Sequence, residues 1–283
     1  MLLRAVRLIF PLLERWAPFL SNRIFRLVFY VPLRYRVPDK EQEAEKEARK
    51  FYISISGKRI QVYSWGDEAQ PYVLLVHGWA GRATQFRKFI TPLASAGFRV
   101  VGFDGPGHGK SEGIKTSILE FEQALEIIFQ KIGEPAALIT HSFGGAATLF
   151  SAMNGLPVRK LINIASPSVM DEILKTFLRA INGSWISAEK FKKFVTRKTG
   201  KGLEEFSALY SIQHLPRPID LLVVQDEDDA DVILMHAMEL LKVYPSGKFL
   251  KTSGLGHTRI LKDDHVIARC VDFIKSKPFG VKG

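Results

Sequence analysis

The 283-residue sequence predicts an α/β fold: a mostly parallel twisted sheet with helices on both faces, plus a helical insertion. Three observations carry that expectation. Short continuous apolar runs, fit for strands buried on both faces, alternate with stretches of helical spacing from Tyr72 onward. Strand, helix, strand in succession means right-handed crossovers and hence parallel pairing. The rhythm stops between Ile164 and Ile219, where helical spacing, basic residues and large aromatics replace it. A hydrophobic content of 46% over this length suits one sizeable core domain with additions.

Residues 1–50 read as a basic amphipathic N-terminal arm. Positions 1–38 hold seven arginines against Glu14 alone and so contribute +6 of the formal +11. Leu2, Val6, Ile9 and Leu13 recur at helical spacing with Arg4 and Arg7 between them, while Pro11 and Pro18 are expected to interrupt any long helix. No uncharged stretch reaches the roughly 18–20 apolar residues that a membrane span requires. Arg7 and then Glu14-Arg15 also break the apolar core that a signal peptide needs. Two placements are open: a peripheral position on an anionic membrane surface, or packing against the rest of the chain or a second subunit. A transit peptide shares the same arginine-rich, acid-poor start. The expected location is cytoplasmic, with room for peripheral contact on the inner face of a membrane.

Residues 51–55 and 59–65 read as two antiparallel edge strands joined through Ser56-Gly57-Lys58, with the glycine supplying a positive φ. Strand patterns follow at 72–76, 99–103, 136–140 and 160–164, with helical patterns at 82–95, 117–132 and 143–153. The core is thus expected over 51–165 and 217–283, and the insertion over 166–216. Phe177, Trp185, Phe191, Phe194, Phe206 and Tyr210 in that insertion can line an apolar cleft together, or simply pack it down. Asn182-Gly183-Ser184 is a glycosylation sequon, relevant only in a secretory compartment. Cys270, the one cysteine, excludes an intrachain disulfide and reads as a small core hydrophobe.

The chemistry is concentrated where apolar runs end. Ser142 closes the run Leu138-Ile139-Thr140-His141 and opens a helical stretch through Phe143-Gly144-Gly145. A serine at such a turn has its hydroxyl pushed over the sheet edge, with the next N–H groups aimed at whatever it attacks. Gly144 lets the helix leave close to its strand, although Thr140 stands where Gly-x-Ser-x-Gly has its first glycine. A plain helix N-cap would also use serine. Tyr72-Val73-Leu74-Leu75-Val76 ends in His77-Gly78-Trp79, so the N–H groups of Trp79 and Phe143 can converge on a developing oxyanion. Leu221-Leu222-Val223-Val224 discharges into acids between Asp226 and Asp231. His257 lies in the glycine-rich loop Ser253-Gly254-Leu255-Gly256. Serine, acid, histidine is one known chain order for a nucleophilic triad.

With these residues in register, and Asp104-Gly105-Pro106-Gly107-His108-Gly109-Lys110-Ser111 beside them, the chain resembles the α/β-hydrolase superfamily over residues 51–276. The closest likeness is to a serine esterase or lipase with a helical lid. The resemblance implies Ser142 as nucleophile, Asp229 as acid, His257 as general base and the insertion as lid. Asp226 replaces a glycine of the family pattern, and Asp228 and Asp231 remain open as the acid.

Other motifs point elsewhere and fail. Gly109-Lys110-Ser111 ends like a phosphate-binding loop, but Asp104 occupies the position of its first glycine. His77, His108 and His141 lack zinc-ligand spacing and are expected to make loop hydrogen bonds. The acids at 226–231 lack the alternating ligands of a Ca²⁺ loop. His265 competes with His257 as base but sits where the last helix begins. No cofactor or metal is expected, and no nucleic-acid module accompanies the basic charge. The expectation is a serine hydrolase acting on a carboxylic ester or related acyl bond of an apolar small molecule. The alternative is a non-catalytic ligand-binding or membrane-associated protein that retains the fold.

Overall fold

The computed structural model describes residues 2–276, with side chains from Ala5 onward. The side chains of Leu2, a member of the expected stripe, and of Arg4, beside it, and residues 277–283 of the expected core, lie outside that description. The chain opens with helices α1 (Leu2–Trp16), α2 (Pro18–Tyr30) and α3 (Asp39–Glu47). Strands β1 (Arg49–Ile55), β2 (Lys58–Trp65) and β3 (Tyr72–Val76) follow, then α4 (Arg87–Ser95), β4 (Arg99–Phe103), α5 (Ile118–Ile132), β5 (Ala137–His141), α6 (Phe143–Met153) and β6 (Lys160–Ile164). Helices α7 (Met170–Ile181), α8 (Trp185–Thr199) and α9 (Ala208–Gln213) form the insertion. The chain closes with β7 (Asp220–Asp226), α10 (Met235–Val243), β8 (Lys248–Thr252), α11 (Gly256–Arg259) and α12 (Asp264–Lys275).

The eight strands make one sheet in the order β1-β2-β4-β3-β5-β6-β7-β8. From β4 to β8 every pair is parallel, and β2 runs antiparallel to both β1 and β4. Only β1 is therefore an edge on that side; β2, expected at an edge, is interior. The order of a crossover that returns β4 to the far side of β3 is a long-range property and is not written in either strand. The hairpin turn is tighter than expected, because Ile55 pairs with Lys58 and leaves only Ser56 (φ 48°) and Gly57 (φ 78°) outside the ladder. Two positive φ values match the right-handed twist of the flanking strands.

Alternate residues of the parallel strands feed two cores, as a sheet covered on both faces requires. Leu74 and Val76 pack with Phe121, Leu125 and Leu149 on the α5/α6 side, whereas Val73 and Leu75 pack with Phe89, Leu93 and Ile267 on the α4/α12 side. A third cluster joins the arm to the insertion: Phe10 and Phe25 pack with Leu174, Leu178, Ile181 and Phe191. Pro11 sits inside α1 rather than ending it, while Pro18 occupies the first turn of α2, where its missing N–H costs nothing. Val6 and Phe10 of α1 pack inward and Leu13 is half-buried; Ile9, expected on the stripe of Val6 and Leu13, faces outward. Glu14, the lone acid of positions 1–38, accepts hydrogen bonds from the Ser184 N–H (3.0 Å) and hydroxyl (2.9 Å) at the start of α8. It thereby meets orphan donors and the positive end of that helix. Arg34 ties the other end of the arm to the carbonyls of Gly107, Ser111 and Gly113 at 3.1, 2.7 and 3.0 Å. No helix among the described residues is long and apolar enough to cross a membrane.

Candidate active site

In open parallel sheets, ligand sites gather beyond the carboxyl ends of the strands near the point where strand order reverses. Here β3 is that point, with β4 on one side and β5 on the other. The turn after β3 carries His77-Gly78-Trp79 and the turn after β5 carries Ser142. The two touch: a Cβ placed on Gly78 would lie 2.8 Å from the Ser142 Cβ. Glycine at 78 is what allows this approach.

Ser142 has φ 51°, a conformation that costs an L-residue roughly 1–2 kcal/mol and is held by its surroundings. Its N–H donates to the Ile164 carbonyl at 2.9 Å, which ties the turn to β6. Gly144 permits α6 to start against β3, since a Cβ there would lie 2.5 Å from the Val76 carbonyl and 2.6 Å from that of His77. Thr140, the departure from the first motif glycine, is buried and donates to the Ile162 carbonyl and the Asn163 Oδ1, both at 3.1 Å. Asn163 in turn lies over Gly145, where a Cβ would collide with its amide oxygen. The room for this packing is thus supplied by Gly145 rather than by a glycine at 140.

The histidine and the acids are set by the ends of β7 and β8. His257 Nδ1 donates to Asp229 Oδ2 at 2.7 Å. Asp229 is almost wholly buried, and its other oxygen accepts from the N–H groups of Asp231 (2.9 Å) and Val232 (2.8 Å), so the carboxylate cannot rotate away. Among the acids left open by the sequence, this is the one that meets the imidazole. Asp226 holds the histidine loop instead: it accepts from the N–H groups of Gly256 (2.9 Å) and Leu255 (3.1 Å) and from the Thr252 hydroxyl (2.7 Å). Burial alone would raise the Asp226 pKa, but these donors outweigh it and hold the carboxyl below its ordinary range. Asp228 takes the Gly254 N–H at 2.7 Å. Asp229, Asp231 and His257 could offer one ligand atom each to a metal ion. The Nδ1 proton directed at Asp229 leaves that nitrogen no lone pair for one.

His141 was expected only as a loop residue, and its bond is informative. A carbonyl can only accept, so His141 Nε2–H donates to the backbone oxygen of His257 at 2.8 Å. The two rings lie 4.6 Å apart, which couples the residue preceding Ser142 directly to His257. His257 Nε2 and the Ser142 hydroxyl both lack a hydrogen-bond partner among the described residues. His77 and His108 also serve loops. His77 donates to the Gly78 carbonyl and accepts from the Gly105 N–H, both at 2.7 Å, and His108 accepts from the Ala80 N–H at 3.1 Å. Burial foremost lowers all three, His77 to about 4 and His108 and His141 to about 3, so they stay neutral.

Around Ser142 the wall is aromatic. Trp79 and Phe143 meet edge to face at 5.5 Å, and Phe143 packs on Phe121 at 5.1 Å. As first residue of α6, Phe143 has no intrahelical acceptor for its N–H. No backbone hydrogen bond among the described residues uses the Trp79 N–H. The insertion aromatics are placed differently: Phe177 and Phe191 contact Phe25 and Phe29 of α2 at 4.5–5.2 Å, and Phe206 stacks on Phe150. Phe177 and Phe191 seat the arm and the insertion on each other, and Phe206 packs the insertion onto α6. His265 lies in the first turn of α12, and Cys270 is buried on that helix with its thiol pKa pushed up by desolvation.

Residues 71–196 match the family model of the α/β hydrolase fold. A pimeloyl-[acyl-carrier protein] methyl ester esterase of Proteus mirabilis is 28% identical over 158 residues, covering 51% of this chain and 59% of that protein. A serine hydrolase-like protein of Mus musculus is 28% identical over 120 residues, 40% of this chain and 38% of that one. The chain therefore spans about half the length, or less, of these curated relatives. Among solved structures, an esterase from Pyrococcus furiosus superposes with a TM-score of 0.65 at 17% identity, over 87% of this chain and 96% of the other.

Proposed function

We propose that the chain, whose residues 71–196 match the family model of the α/β hydrolase fold, is a serine hydrolase that cleaves a carboxylic ester of an apolar small molecule through an acyl-enzyme. The observation that carries this reading is the 2.7 Å bond from His257 Nδ1 to the buried Asp229, made by a histidine that His141, the residue before a serine held at positive φ, contacts directly. With Nδ1 protonated, Nε2 keeps the lone pair needed to take a proton from Ser142. As Ser142 Oγ bonds to the ester carbonyl carbon, that proton passes to Nε2 and the carbonyl oxygen becomes an oxyanion facing the N–H groups of Trp79 and Phe143. Collapse breaks the ester C–O bond, and the imidazolium returns its proton to the leaving alkoxide. Water, deprotonated by the same nitrogen, then attacks the acyl-enzyme and frees Ser142 with a carboxylic acid. Asp229 steadies the imidazolium throughout without itself taking the proton.

The apolar wall of Trp79 and Phe143 favours an acyl or alcohol part without charge, and the insertion between β6 and β7 is read as the lid over that site. The two departures from the family pattern do not favour a non-catalytic protein, because Thr140 packs β5 on β6 and Asp226 clamps the loop that carries His257. A p-nitrophenyl ester series of increasing acyl length tests the reading. Turnover should rise with chain length to an optimum and fall by about 10³-fold or more in Ser142→Ala and His257→Ala. Turnover unchanged by Ser142→Ala would reject it.

A further inference from the structure

Helix α1 is apolar on two sides. Val6 and Phe10 face the insertion, while Leu8, Ile9, Leu12 and Trp16 recur at i, i+1, i+4 and i+8 on the outside. Among the described residues nothing covers the outward stripe: Leu8 is 77% exposed, Trp16 76%, and Phe19, just past the corner at Pro18, 74%. Leu20 and Leu27 continue the exposure along α2. Scattered surface leucines are ordinary, but a run of large apolar residues along one helix and over its corner marks a contact surface.

The charges around this run are of one sign. Arg7, Arg15 and Arg23 are exposed beside it, and Arg15 lies over the Trp16 ring at 5.2 Å and Arg23 over Phe19 at 6.0 Å. Glu14, the acid nearest by, is committed to the Ser184 N–H and hydroxyl. Next to α2 a cavity of about 540 Å³ opens toward α8, with Asn22, Arg26, Lys190, Arg197 and Lys198 at its rim and Phe194 in its wall. Among the described residues no carboxylate forms an ion pair with any of these cations; Lys192, on the same helix, is instead neutralised by Asp171 and Glu204 at 2.7 and 3.2 Å. Neither Ser142 nor His257 lines this cavity.

We propose that this face is a docking surface for an anionic phospholipid membrane, with Leu8, Leu12, Trp16 and Phe19 entering the boundary between headgroups and acyl chains and a lipid phosphate seated in the groove between α2 and α8. A helix that offers leucine and aromatic residues to one side, flanked by arginines, lies in the plane of such an interface. The groove suits a lipid anion better than a free one, because its basic rim stands over aromatic wall rather than over backbone donors. A second copy of the chain is a poorer occupant, since it would bring the same unneutralised cations to the contact. The proposal does not depend on the hydrolase chemistry.

The test uses the full chain with sedimentable vesicles of phosphatidylcholine alone and of phosphatidylcholine mixed with phosphatidylglycerol. The protein is expected to pellet with the mixed vesicles, to stay in the supernatant with the neutral ones, and to be released by salt. Trp16→Ser with Phe19→Ser, and separately Lys190→Gln with Lys198→Gln, should each lower partitioning by roughly tenfold or more while helicity and hydrolysis of a soluble ester are unchanged. All four positions are at the surface of the arm or of α8, so their loss does not threaten the fold. Failure of the wild-type chain to pellet with mixed vesicles, or equal pelleting of wild type and both double variants, overturns the proposal. So does a concentration-dependent dimer that Trp16→Ser with Phe19→Ser abolishes in the absence of vesicle binding, which assigns the stripe to a second copy.

Discussion

Asp226 and Asp229 stand one turn apart at the end of β7 and differ in what they hold. Asp229 meets the ring of His257, so Asp229→Asn should leave the fold intact and lower kcat by about 10³–10⁴, because the amide can favour the wrong imidazole tautomer. Asp226 meets backbone, so Asp226→Asn should act through loop placement: one carboxylate oxygen that accepts from Leu255 and Thr252 is replaced by a donor or turned away. A loss of about 1–3 kcal/mol in chemical denaturation, with KM and kcat both disturbed, is expected there. An Asp226→Asn variant with wild-type stability would contradict that division. The turns that carry Ser142 and His257 were legible in sequence because each follows an apolar run and has small residues in it. Asp229 was indicated by the resemblance alone; periodicity could not divide it from Asp228 and Asp231, since all three follow the same strand, and the distance to the imidazole separates them. His141 was legible as a polar loop residue but not as the partner of the His257 carbonyl, a contact across 116 positions of sequence.

At the scale of elements, the placement of α6 depends on Gly144. A Cβ at that position meets two backbone carbonyls that cannot swing aside, so Gly144→Ala should cost on the order of 2–4 kcal/mol or drive the helix off the sheet. Gly97→Ala makes a useful contrast: nothing lies near its Cβ, and only the positive φ opposes the change, at about 1 kcal/mol. Equal melting temperatures for the two variants would refute the close-approach account. The polar contact between α1 and the start of α8 depends on one acid. Glu14→Gln keeps the shape but removes the charge from the start of α8, and faster amide exchange at Ile186 and Ser187 is the expected readout, with about 1 kcal/mol lost locally. Unchanged exchange there would assign the seating of α1 on the insertion to apolar contacts such as those of Phe10. The strand and helix sequence of the core was readable from periodicity. The arm was harder, because a helix apolar on two faces offers two stripes and periodicity cannot say which one is covered. The interior position of β2 was equally hidden, since pairing with β4 is decided by a crossover and not by either strand.

For the whole molecule, three buried neutral histidines packed around one site set the acid limit. His77, His108 and His141 bind protons near pH 4, 3 and 3 when folded but near the ordinary histidine value when unfolded. Between those values the unfolded chain takes up protons that the folded chain refuses, so stability is whole above about pH 6.5 and falls as pH drops, by about 1.4 kcal/mol per histidine per unit. Thermal melts should therefore lose several degrees between about pH 7 and pH 5.5, and a flat Tm across that window would show that the three rings are hydrated or paired when folded. The central claim, that Ser142 and His257 act together as an activated nucleophile, is tested most directly by intact mass after exposure to a fluorophosphonate. The account predicts a single adduct on the wild-type chain, none on Ser142→Ala, and a strongly slowed adduct on His257→Ala. A folded wild-type chain that stays unlabelled, or an adduct that persists without the Ser142 hydroxyl, would contradict it.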